Sequence, residues 1–199
     1  MPAPSRRTMI ADAIITTLAE SGSRGLTHRA VDEAAGLPVG STSYYLRSRA
    51  ALLEAAVARL AELDAKAVTD AGAADPTVVL AAVMREALTG EGRARTLARY
   101  ELSLEAVRRP ELRRSLAAGT ARLEAVLADR VGTLLPRADA EARARDLLAF
   151  IDGILFAEIT GTHSRPRSNN DIRAAADWIM RTTSPVPMPP GAATPSPAS

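Results

Sequence analysis

Residues 26–53, LTHRAVDEAAGLPVGSTSYYLRSRAALL, decide the fold. They read as two short helices joined by a tight turn, followed at once by the start of a longer helix. Thr27 is an N-cap for the first, 28–35, because its hydroxyl can accept a free backbone N–H. Gly36 supplies the left-handed turn that a β-carbon disfavours. Pro38 suits the first position of the next helix, where its missing N–H costs nothing, and Ser48 caps the longer one, 49–69. The middle helix carries short side chains and hydroxyls where an ordinary core helix would carry an apolar stripe.

That composition suits a helix laid in the DNA major groove. Short residues let its backbone approach base edges, and donors at its rim grip phosphates. Val39, Gly40, Ser41 and Ser43 meet the first need; Tyr44, Tyr45 and Arg49 meet the second. Arg29, near the start of the preceding helix, is placed to reach a phosphate or a guanine, and Arg6 and Arg7 form a basic N-terminal arm. No acid occurs from Leu37 to Arg49, whereas residues 1–64 as a whole balance seven arginines against seven acids. The electrostatic signal is therefore local, and the formal net charge of +2 over 199 residues adds little to it.

Composition removes several alternatives. Hydrophobic content of 47% with 24% charged residues is that of a folded globular chain. The absence of cysteine excludes disulfides, thiolate catalysis and zinc–thiolate sites, and two histidines, His28 and His163, are too few for a transition-metal site. No metal or cofactor is expected. Asp12 interrupts the apolar run after Arg6-Arg7, so an export signal is rejected, and no apolar stretch is long enough for a membrane span. The expected compartment is the cytoplasm.

Elsewhere the apolar residues recur with helical spacing and no strand alternation is seen, so the fold class is all-α. Helices are expected over 7–21, 76–89, 93–108, 110–135, 138–160 and 171–182. Six prolines in residues 184–199 predict a disordered tail. The division is into a helix-turn-helix unit over 1–50, a helical regulatory and dimerisation unit over 51–183, and the tail.

The set Thr27, Val31, Ala35, Gly36, Leu37, Pro38, Gly40, Ser41, Tyr44, Tyr45, Leu46, Ser48, Arg49 and Leu52, at these offsets, resembles the N-terminal helix-turn-helix domain of the tetracycline-repressor (TetR) family. The resemblance implies a homodimeric regulator on double-stranded operator DNA, with a C-terminal domain that senses a small molecule. It places Thr27 and Arg29 on DNA-contacting positions of the second helix, Ser41, Ser43, Tyr44 and Tyr45 on those of the third, and Arg49 on a phosphate-gripping position. Pro38 replaces a usual capping serine, Asp32 a small residue, Ser43 a frequent tyrosine and Leu46 a frequent phenylalanine, which leaves the recognised base sequence open.

In the second unit, 138–160 is apolar over a wide arc, and such helices usually have two partners. The resemblance implies that Leu147, Ile151, Ile154 and Leu155, with Trp178 and Ile179, build a dimer interface; a purely intrachain core is the alternative. A ligand pocket, if present, would be lined by Met84, Leu88, Tyr100, Glu101, Leu104 and Phe150, although Glu101 beside an apolar stripe also suits structural pairing. Two other functions stay open. A small helical enzyme lacks a visible nucleophile–base set, and a footprint upstream of the chain's own or a neighbouring gene would dispose of a protein-binding adaptor.

Overall fold

The computed structural model describes residues 5–70, 76–131, 137–162 and 165–182; the proline-rich tail, His163 and the Asp75 cap lie outside them. Among the described residues there are nine helices and no strand: α1 (Arg6–Gly25), α2 (His28–Ala34), α3 (Ser41–Tyr45), α4 (Arg49–Asp70), α5 (Pro76–Ala87), α6 (Gly90–Ala106), α7 (Pro110–Val131), α8 (Arg137–Thr160) and α9 (Asn169–Thr182). The all-α expectation and the helix order hold.

The local chemistry explains the N-terminal boundaries. Ser5 caps α1 by accepting the Thr8 N–H at 3.1 Å, which draws Arg6 and Arg7 into the first helical turn. They are exposed, but they are not the arm expected of them. Gly22 breaks helical geometry at φ 65°, ψ −177°, a region essentially reserved for glycine. Thr27 caps α2 through Ala30 N–H, and Ser48 caps α4 through Ala51 N–H, both at 3.1 Å. Pro38 does not open α3. Its carbonyl accepts both the N–H and the hydroxyl of Ser41, making a turn, and left-handed Gly40 (φ 94°) stands immediately before the helix.

The main core joins Ile10, Ile14 and Leu18 of α1, Val31 of α2 and Leu52, Leu53, Ala56 and Leu60 of α4 to Ala98, Leu102 and Ala106 of α6. It runs straight through residue 50, so the first half of α4 packs with the helix-turn-helix and α6 backs both. A second core holds Ala81, Met84 and Ala87 of α5, Leu155 of α8, and Ile172 and Ala176 of α9. Burying each large aliphatic side chain contributes about 1.5–3 kcal/mol, so either cluster fixes its helices firmly.

Candidate DNA-binding site

α3 is too short to be stable alone, so its placement has to come from its neighbours. Asp32, on α2, is 2% exposed, and its carboxylate accepts the Gly40 and Thr42 N–H groups, each at 2.7 Å. These are otherwise orphan donors of the α3 N-terminus. The Asp32 carbonyl also accepts Leu37 N–H at 2.8 Å. Burial opposes ionisation of this carboxyl, but hydrogen bonding from Thr42 and Gly40, with His28 close by, outweighs it and holds the pKa below the usual value. His28 Nε2–H donates to the Leu46 carbonyl at 2.7 Å, so the start of α2 also holds the exit of α3. In the sequence Asp32 stands out only as a departure from the family pattern. An acid eight and ten residues before two helix-start N–H groups is the signal that could have found it.

With α3 held this way, Thr42 points inward and is fully buried, while Val39 and Tyr44 are 83% and 77% exposed. Ser43, Arg29 and Arg47 are also exposed. The Ser41 hydroxyl donates to the Pro38 carbonyl, and the Thr27 hydroxyl accepts as a cap, so both have local duties. Tyr45 is half-buried against the main core and meets Tyr44 edge-on, with ring centroids 5.1 Å apart. Tyr45 is thus the packed member of the pair and Tyr44 the free one.

Arg49 sits differently from its sequence-based role. Its guanidinium donates to the Leu26 carbonyl at 2.7 Å, the Ser23 hydroxyl at 2.8 Å and the Ser23 carbonyl. Both terminal nitrogens of its guanidinium are engaged at the α1–α2 junction. The same serine reaches α6: Ser23 N–H donates to Glu101 Oε2 at 2.8 Å, and Ser23 O–H to Glu105 Oε2 at 3.1 Å. Arg109 Nε donates to Glu105 Oε1 at 2.6 Å, and this bond, against the opposing effect of burial, keeps the Glu105 carboxyl below its ordinary pKa. Glu101 is therefore a structural partner of α1, the pairing that its place beside an apolar stripe suits. Polar groups of α1, α4 and α6 form one latch.

The other regulatory expectations divide. Met84 is sealed in the second core, with Leu88 packed on it; Leu104 and Phe150 are exposed, and Tyr100 is half-buried. Leu147, Leu155 and Ile179 are buried within the chain, and Ile151 and Ile154 pack on the second core, so these five have intrachain partners. Trp178 is exposed and meets Phe150 edge-on at 5.7 Å.

The model of the tetracyclin repressor-like C-terminal domain matches residues 77–183, more than half of the chain. The chain belongs to the TetR family. Among its relatives, the HTH-type transcriptional regulator BetI of Paraburkholderia xenovorans (strain LB400) is 30% identical over 176 residues, covering 83% of this chain and 90% of BetI. A TetR-family member from Streptomyces coelicolor A3 superposes with a TM-score of 0.72 at 33% identity, over 92% of this chain and 100% of that one. The multidrug binding protein EbrR complexed with ethidium does so with a TM-score of 0.69, also at 33% identity and the same coverage. The protein is thus a DNA-binding transcriptional regulator of the TetR family, and the enzyme alternative falls away. Among the described residues, no helix is long and apolar enough to cross a membrane.

Proposed function

We propose that the chain is a cytoplasmic, ligand-responsive repressor that binds a near-palindromic operator as a homodimer and leaves it when an effector binds. The observation that carries this reading is the outward display of Val39, Ser43 and Tyr44 on a helix fixed from behind by Asp32. Tyr44 and Arg29 contact the operator directly, Arg6 and Arg7 contact its backbone from the α1 N-terminus, and Ser41 and Tyr45 set the register of α3. Residues 1–50 carry the DNA contacts and 51–183 the response. A second copy covers the exposed Phe150–Trp178 pair and the open Gly153 on α8, and two copies of α3 then enter successive major grooves about 34–36 Å apart. An effector acting on α6 would strain the Ser23 latch. Typical coupling of about 1–3 kcal/mol changes operator affinity roughly 5–150-fold.

Footprinting on the chain's own upstream region, followed by gel shifts over a salt series, tests the assignment. Tyr44→Ala and Arg29→Ala are expected to weaken binding at least tenfold while leaving the melting temperature unchanged. Arg29→Ala is also expected to lower the salt slope by about one unit. Wild-type affinity in both variants refutes the proposed contacts.

A further inference from the structure

Tyr100 and Phe156, from α6 and α8, meet edge-on with ring centroids 5.3 Å apart, and the Tyr100 hydroxyl donates to the Asp152 carbonyl at 3.3 Å. Leu104, one turn along α6, is 63% exposed, and Phe156 is 50% exposed. These groups form an apolar, aromatic surface with one carboxylate in it. That carboxylate, on Asp152, has no hydrogen bond or ion pair among the described residues. The nearby cation, Arg99, gives its guanidinium to both oxygens of Asp64 on α4, at 2.9 and 3.0 Å. Two acids against one base leave a negative charge in excess beside two aromatic rings.

We propose that the face made by Tyr100, Leu104, Asp152 and Phe156 is the effector site, and that its ligand is an organic cation bearing apolar groups. The proposal rests on the ligand-responsive reading above and names the ligand class. Aromatic faces attract cations through their quadrupole, and an unpaired carboxylate in the same patch supplies the counter-charge. An anionic ligand would meet Asp152 with Arg99 already neutralised. Burial and the neighbouring Asp64 raise the Asp152 pKa above its ordinary value, and burial with Asp152 pushes Tyr100 up to about 12. Asp152 is itself exposed, so a ligand can reach its carboxylate directly. Occupancy reaches the DNA-binding helices through the next residue, Glu101, which accepts the Ser23 N–H.

The test is calorimetric titration of the full chain with tetraphenylphosphonium and with neutral triphenylphosphine oxide. The cation is expected to bind and the neutral compound to bind at least tenfold more weakly. Asp152→Asn should keep the wild-type melting temperature or exceed it and lose roughly tenfold in cation affinity, and Tyr100→Ala should lose about three- to thirtyfold. No cation binding, equal binding of the neutral compound, or wild-type affinity in both variants overturns the proposal. A Phe156→Ala variant that becomes monomeric and keeps its cation affinity assigns the face to a second copy instead and also overturns it. Operator binding by the same preparations separates the two readings. Intact DNA binding without cation binding sinks only the cation site, while cation binding of the expected pattern without DNA binding supports the site and sinks only the regulator reading.

Discussion

Replacing Asp32 with asparagine removes a charge from a site 2% exposed and leaves the shape unchanged. The carboxylate now accepts Gly40 N–H and Thr42 N–H at 2.7 Å each, and hydrogen bonds to a charged group contribute about 1.5–3 kcal/mol apiece. An asparagine retains one of them as a neutral bond of about 1 kcal/mol and turns its own NH2 toward the other donor. Gly40 is exposed and its N–H can turn to water; Thr42 is fully buried and cannot. Set against the relief of no longer burying a charge, the net loss for Asp32→Asn is about 2 kcal/mol. That corresponds to roughly 4–8 °C in melting temperature for a chain of this size. Because the proposed self-association would stabilise as well, variant and wild type must be compared at one protomer concentration.

The same substitution carries a pH signature. The folded Asp32 pKa lies below its unfolded value, so its stabilisation is complete above that unfolded value and disappears as pH falls through the lower folded one. Urea titrations at pH 7 should therefore separate wild type from Asp32→Asn by the full amount, and the difference should shrink progressively as pH falls below about 4. Operator affinity should fall with stability, since α3 loses its anchor. A difference under about 0.5 kcal/mol at neutral pH, or one that does not shrink with acid, would refute the clamp.

Two further expectations concern the latch. Arg49→Ala should cost about 1–3 kcal/mol by removing donors from Ser23 and Leu26, while the salt slope of operator binding stays unchanged; a slope lower by one would restore its phosphate-gripping role. Gly22→Ala should cost about 1–3 kcal/mol from backbone strain alone, because a β-carbon there would lie at an ordinary 3.5 Å from the Glu101 carboxyl. Thermal unfolding measures both, and a Gly22→Ala protein as stable as wild type would remove the strain argument.

The sequence by itself determined whatever depends on residues a few positions apart. The Thr27 and Ser48 caps, the Gly36 turn and the helical periods are local physics and stand where the spacing placed them, whereas the hydroxyl-rich α3 starts at Ser41 and not at Pro38. Tertiary structure alone decided the partners. Asp32 looked like an odd substitution until the chain turned Gly40 and Thr42 back over it, and Arg49 looked like a phosphate donor until Ser23 and Leu26 arrived from 26 and 23 residues away. The apolar arc of α8 could not announce which side meets α5 and α9 and which is left open, because hydrophobicity has no direction until a neighbour is in place. A charged side chain is subject to the same rule: its type fixes what it can bind, and packing fixes what stands within 3 Å of it.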